Sequence, residues 1–173
     1  MLAYVFFHRL APGADATVYE DALRRFHAAL AATPPSGFLR SVTFRVDGGY
    51  ADWYLVEGSA ALDGLNDAAV SGAAKAGHDA AAGMAVDGAG KLLALVSGEP
   101  RFAPGVEVRF SKPPGTSYTD FYAQLAPWTA RPDVSLWRRM MVLGPAPEFC
   151  FISQADLDLP AVMSPVSFHR TPV

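Results

Sequence analysis

The 173-residue chain is 51% hydrophobic and 18% charged, which excludes a disordered polypeptide and describes a globular protein with a sizeable core. Its net charge of -3, with only Arg24-Arg25 and Arg138-Arg139 as adjacent basic pairs, excludes nonspecific binding to nucleic acid or an anionic membrane. The single cysteine, Cys150, excludes an internal disulfide and a multi-cysteine zinc site.

Met1 to Phe7 is apolar but has no basic start and no small-residue cleavage site, so it reads as a first strand rather than a signal peptide. A Pro12-Gly13 turn ends it. Thr17-Val18-Tyr19-Glu20 then places a hydroxyl at a helix N-cap with a carboxylate three residues later. Val18, Ala22, Phe26 and Ala29 continue at helical spacing. Two strands follow, Phe38 to Val46 and Trp53 to Glu57, around the turn Asp47-Gly48-Gly49. A long Ala-rich helix is expected over about Ala60 to Met84, and a closing strand over Lys91 to Val96. Gly98 to Gly105 reads as a linker.

The same order then repeats. Val108 to Phe110 leads to a Pro114-Gly115 turn, as Val5 to Leu10 leads to Pro12-Gly13. Ser117-Tyr118-Thr119-Asp120 answers the first capping sequence, and Tyr118, Tyr122 and Leu125 mark the helix. Leu136 to Leu143 and Phe149 to Ser153 form the second strand pair, around Gly144-Pro145-Ala146-Pro147. The following helix is cut to about a turn by Pro160 and Pro165, and Val166 to Arg170 is the last strand. The expected fold class is therefore α+β: a tandem of two ferredoxin-like β-α-β-β-α-β halves. Residues 1–98 form the first, 99–105 the linker and 106–173 the second. Each sheet would keep one bare apolar face, which the other half covers.

This order of elements resembles the dimeric α/β barrel superfamily, as a single-chain fusion of its two subunits. The resemblance implies sheet-to-sheet packing, with ligands held between a sheet and its own helices. It also implies several activities: cofactor-independent oxygenation of aromatics, haem degradation, lactone isomerisation or aldoxime dehydration. The haem-degrading pattern has an Asn on the first strand, a Trp on the third and a His on the second helix. Trp53 and His78 supply two of these types, and the Asn is missing.

Among candidate residues, Tyr4, Phe6 and His8 share one face of the first strand, opposite Ala3, Val5 and Phe7. His8 is a candidate proton acceptor. His78 is the second candidate, although helical spacing turns it to solvent with Asp67, Ser71 and Lys75 unless Gly72 or Gly77 breaks the helix. Arg40 and Arg138 occupy matched positions on apolar strands and are candidate anion holders; an ion pair with Glu57 or Glu107 is the structural alternative. Tyr4 and Trp53 are the expected aromatic wall. His27 and His169 offer less, and the histidine spacings imply no metal site. No hydrolase or nucleotide-binding motif occurs, and no cofactor is implied.

The expected function is binding of a small hydrophobic, oxygenated ligand, as a cofactor-independent monooxygenase or isomerase. A non-catalytic scaffold is the main alternative and a haem-binding or haem-degrading protein the minor one. The chain is expected to be cytoplasmic, a monomer or homodimer, without nucleic-acid or membrane partners.

Overall fold

Strand-period alternation dominates the chain, and its consequence is a sheet with no free edge. A computed structural model describes residues 1–173. In chain order the elements are β1 (Leu2–Leu10), α1 (Ala16–Ala32), β2 (Phe38–Val46), β3 (Gly49–Val56), α2 (Ala61–Val70), α3 (Lys75–Ala82) and β4 (Ala85–Ser97). They continue with β5 (Gly105–Phe110), α4 (Tyr118–Thr129), β6 (Ser135–Arg139), β7 (Phe149–Ser153), a 3₁₀ turn (Ala161–Met163) and β8 (Val166–Pro172). The eight strands close into a barrel in the order β1-β3-β2-β8-β5-β7-β6-β4, and all the pairings are antiparallel.

Up to β4 the strands lie in the order β4-β1-β3-β2; from β5 onward they lie in the order β6-β7-β5-β8. The neighbour relations are the same in both, and the seams β2–β8 and β4–β6 join them. Closure removes the exposed edges that would otherwise invite pairing with other chains. No helix is long and apolar enough to cross a membrane.

Two faces result. Ala3, Val5, Phe44, Ala51, Trp53, Leu55, Leu93, Trp137, Cys150 and Ile152 fill the barrel interior, with Trp53 and Trp137 edge to face at 5.4 Å. On the outer face the helices cover separate clusters. That under α4 is a closed set including Phe110, Phe121, Leu125, Phe149 and Phe151. That under α1, α2 and α3 includes Leu2, Phe26, Leu30, Tyr54 and Leu92.

Local structure departs from sequence expectation at four points. Helix α1 is capped by Asp15, whose carboxylate accepts from the amides of Thr17 and Val18, which leaves Glu20 free to pair with Arg45. By contrast Ser117 does cap α4, accepting from the Asp120 amide and donating to its carboxylate. Strand β6 ends at Arg139, because Met141 takes a positive φ of 47° and turns the chain away. A bulge between Phe38 and Arg40 in β2 reverses the side-chain parity there.

The fourth departure matters most for the site. The long Ala-rich helix is two helices, broken at Ser71-Gly72-Ala73-Ala74, with Gly72 at φ +55°. The left-handed conformation is nearly free for glycine and ends the helical run. Helix α3 thereby leaves the line of α2 and lies directly on α1. A Cβ built on Gly77 would come within 2.8 Å of the Phe26 backbone nitrogen. Gly77→Ala should therefore destabilise the fold by about 1–3 kcal/mol, despite the roughly 1 kcal/mol that alanine gains in helix propensity. Urea unfolding measures this: a lowered midpoint is expected, and an unchanged or raised one would show that α3 does not depend on the close contact.

Candidate functional site

The hairpin fixes the centre of the site. The two-residue turn Asp47-Gly48 sets β2 against β3 so that Thr43 pairs with Asp52 and Ser41 with Tyr54. The β1–β3 register then brings Tyr4 beside Tyr54, Phe6 beside Asp52 and His8 beside Tyr50. All these side chains point outward, toward the helices. On β4 the neighbouring outward positions are Gly88 and Gly90. Their missing side chains are filled by the rings of Phe6 and Tyr4, which would lie within 2.6 and 2.5 Å of an added Cβ.

Between this face and α1, α2 and α3 lies a cavity of about 360 Å³. Its walls are mostly apolar: Phe6, Leu23, Phe26, Leu62, Leu65, Ala69 and Ala81. Polar groups converge at one end: Tyr4, His8, Tyr19, Asp52 and Tyr54, with Asn66 and His78 facing it from the helices. An apolar chamber with a few convergent polar groups is the usual form of a small-molecule site.

Asp52 organises the polar end. It is 4% exposed, and both its oxygens are occupied. Oδ1 accepts from Thr43 Oγ1 at 2.5 Å and lies 3.4 Å from His27 Nε2. Oδ2 accepts from the Tyr54 hydroxyl at 3.2 Å and lies 3.2 Å from His8 Nε2. The last contact is electrostatic, too oblique for a well-formed hydrogen bond. His27 continues the chain through Nδ1 to Ser41 Oγ at 2.7 Å, and His8 Nδ1 meets the Tyr19 hydroxyl at 2.5 Å.

Protonation states follow from this arrangement. Burial pushes the Asp52 carboxyl up, but His27 and His8 outweigh it and hold the group well below the usual carboxylate range. An ionised Asp52 only accepts, so the neutral His8 ring carries its proton on Nε2, facing the carboxylate. Nδ1 is then an acceptor, and Tyr19 donates to it. Burial, reinforced by the Asp52 charge, raises the phenols of Tyr4, Tyr19 and Tyr54 above their ordinary value. All three remain hydroxyl donors near neutral pH.

The sequence-derived candidates divide by face. Tyr4, His8 and His78 line the cavity. His78 gets there because Gly72 breaks the helix; its ring lies edge-on to Phe26 at 5.6 Å, and Nδ1 lies 3.2 Å from Asp79 Oδ1. Trp53 does not join them, since parity puts it inside the barrel. Arg40 is exposed at the barrel end, its guanidinium 4.2 Å above the Phe102 ring and paired with neither Glu57 nor Glu107. Arg138 points the other way, toward α4, and donates to the Tyr122 hydroxyl at 3.0 Å. The two arginines are therefore neither equivalent nor part of this cavity. The Trp and His of the haem-degrading pattern lie on opposite faces of the sheet, and His169 of the second half is exposed on β8, so that set does not assemble. No group of three or more His, Cys, Asp or Glu is placed to hold a metal ion.

Asp52, Tyr19, His27 and Tyr54 were not among the sequence-derived candidates. The hairpin turn pairs position 43 with 52, so a carboxylate opposite a hydroxyl on an otherwise apolar strand was readable. The approach of α1 that supplies Tyr19 and His27 was not.

Because the folded-state pKa of Asp52 is depressed, its stabilising effect is present above its unfolded value of about 3.9. The effect is lost as pH falls from there toward the folded value. Asp52→Asn should cost about 1.5–3 kcal/mol at neutral pH, with the gap to wild type closing as pH drops below about 4. Denaturant unfolding across pH 3 to 7 measures this; a gap that stays constant would mean that the charge on Asp52 contributes nothing.

No protein-family model matches the sequence, and no curated protein matches it. Among solved structures, the chain is similar to the crystal structure of a candidate chlorite dismutase. The TM-score is 0.59 and the identity 12%, over 99% of this chain and 94% of that one. At that identity the likeness concerns architecture alone. What the two share is the architecture: a closed eight-stranded antiparallel barrel with helices packed on its outside.

Proposed function

We propose that the protein binds a small, mainly apolar molecule carrying a phenolic or enolisable oxygen, and moves a proton on it without a cofactor. The observation that carries the reading is the Tyr19–His8–Asp52 chain at the end of an apolar cavity. His8 Nδ1 is taken by Tyr19 and Nε2 is buried facing Asp52, so the group that meets a ligand is the Tyr19 hydroxyl. A substrate proton passes to the Tyr19 oxygen as the Tyr19 proton passes to His8 Nδ1. The resulting imidazolium faces the Asp52 carboxylate through Nε2–H. Tyr4 stands near as a donor for the oxyanion left on the substrate, while the Tyr54 hydroxyl holds Asp52. His78, at the other side of the cavity, orients the ligand or takes a second proton.

This chemistry suits an isomerase, or a monooxygenase in which the deprotonated aromatic substrate itself reacts with oxygen. The open cavity in the first half supports it over a scaffold role, because the corresponding space of the second half is filled by Phe110, Phe121, Phe149 and Phe151. The recurrence of strand order on both sides of residues 99–105 supports reading 1–98 and 106–173 as two ferredoxin-like halves of duplicated origin. In that reading the second half became a packed support.

The test is proton exchange. Solvent-deuterium incorporation into a panel of phenols, naphthols and 1,3-dicarbonyl compounds is followed by NMR, with oxygen uptake recorded alongside. Wild type should accelerate exchange for part of the panel. Tyr19→Phe and His8→Gln should each lower the rate by about 10²–10⁴, while Arg40→Met leaves it unchanged. Binding without acceleration, or acceleration insensitive to Tyr19→Phe, would leave a binding protein and remove the catalytic role of the triad.

A further inference from the structure

The barrel interior, on the opposite face of the sheet from the cavity, holds a set of charges that the proposed reaction does not use. Glu107 and Arg109 on β5, Lys91 on β4 and Arg170 on β8 enter a core otherwise lined by Phe, Trp, Val and Leu. Glu107 is 1%, Arg170 2% and Lys91 5% exposed. Three cations thus share one carboxylate. Arg109 Nε donates to Glu107 Oε1 at 2.6 Å, Lys91 Nζ donates to the Pro147 carbonyl at 3.0 Å, and Arg170 donates to the Arg101 carbonyl. Arg170 Nε and Nη1 and Glu107 Oε2 have no partner. A low-dielectric interior with surplus positive charge is costly unless an anion compensates it. Consistent with that cost, burial lowers the affinity of Lys91 and of Arg170 for their protons.

One of these cations reaches the surface. The Arg109 guanidinium is clamped between the rings of Phe7 and Phe168, at 4.1 and 4.2 Å. With Nε held by Glu107, its Nη1 and Nη2 make no hydrogen bond within the protein. Above it opens a second, smaller pocket of about 170 Å³, lined by Phe7, Val46, Gly48, Gly49, Arg109 and Phe168, with Arg9, His8 and Tyr50 also at its margin. The carboxylates on its rim are engaged elsewhere: Asp87 pairs with Arg9, and Asp47 accepts from the His169 amide at 3.1 Å.

We propose that this barrel mouth is a second ligand site, specific for a small flat carboxylate. The Arg109 edge holds the carboxylate through paired N–H bonds, the two phenylalanines flank the apolar part, and Lys91 and Arg170 supply attraction from behind. The planar guanidinium fork matches a carboxylate in two parallel bonds, which a lysine cannot reproduce. Arg109 holds the anion, and Glu107 orients it through Nε while competing with the ligand for the same positive field.

Calorimetric titration of the full chain with benzoate tests the site, with benzamide as the uncharged analogue of the same shape. Wild type should bind one benzoate saturably, and benzamide at least ten-fold more weakly. Arg109→Met should abolish binding and Arg109→Lys weaken it about ten-fold. Glu107→Gln should tighten binding several-fold, an effect opposite in sign to that of a merely structural lesion. Near-ultraviolet circular dichroism of the Trp53–Trp137 pair checks the core of each variant, and Arg109→Lys decides if Arg109→Met does not fold. Tyr19→Phe should leave benzoate affinity unchanged, which separates this site from the cavity on the other face. Equal binding of benzamide, no benzoate binding by wild type, or full affinity in Arg109→Lys would overturn the proposal.

Discussion

The strand side chains at the centre of both charge networks owe their positions to the period of two along strands that are buried on both sides. In an open antiparallel sheet with one wet face, a shift of parity moves a residue from core to solvent. In this closed barrel it moves a residue between two buried environments with different chemistry. Asp52 and Trp53 are adjacent in sequence; one is the centre of the outer network, and the other packs on Trp137 inside. Phe7 and His8 divide in the same way, Phe7 flanking Arg109 at the barrel mouth and His8 facing Asp52 under α1. The tight Asp47-Gly48 turn therefore does more than reverse the chain. By fixing the β2–β3 register it decides which face receives the carboxylate.

The electrostatics of the two faces are complementary. Outside, at the end of the cavity, Asp52 is surrounded by neutral donors and two imidazoles, an arrangement that keeps it ionised and the surrounding phenols protonated. Inside, cations outnumber the one carboxylate, and aromatic faces take up part of the charge: Phe7 and Phe168 on Arg109, Phe44 on Arg170. A sheet one residue thick thus separates a network built around an ionised carboxylate from one with surplus positive charge.

The sequence carried the order of the elements, because strand alternation, Pro-Gly turns and the Ser117 cap are local signals; the cap of α1 lay two residues earlier, at Asp15, than the Thr17 hydroxyl suggests. It carried less of the site, because that depends on distances between elements. Arg40 shows the limit: its parity was sound from Val42 onward, yet the bulge beside Leu39 places Phe38 and Arg40 on opposite faces, and nothing in the local sequence announces a bulge. His78 shows the reverse case. Uniform helical spacing sends it to solvent, whereas Gly72 at positive φ redirects the helix and turns it toward the cavity. His27 lacked any local sign of function, since its role exists only once α1 lies across β2 and β3 and meets Ser41, Thr43 and Asp52.

The contrast between the two outer faces explains why open volume lies in one half and not in the other. Under α4, large aromatic side chains from β5, β7 and the helix interlock; Phe110 stacks on Phe151 at 4.9 Å, and Phe121 meets Phe149 at 5.1 Å. Under α2 and α3 the facing residues are non-aromatic apart from His78, with Ala69, Ala81 and Ala82 beside Leu62, Leu65, Asn66 and Val70, and Gly88 and Gly90 lie on the sheet below. A helix of small residues packs closely only if its partner surface rises to meet it. Here Gly77 lets α3 close onto α1, while the break at Gly72 holds α2 apart from α3 over the sheet. The alanines therefore border open volume instead of a packed core. Small side chains and a broken helix keep that volume open, glycines on the strand beneath let the Phe6 and Tyr4 rings lie back over β4, and the ionised Asp52 lies where it ends.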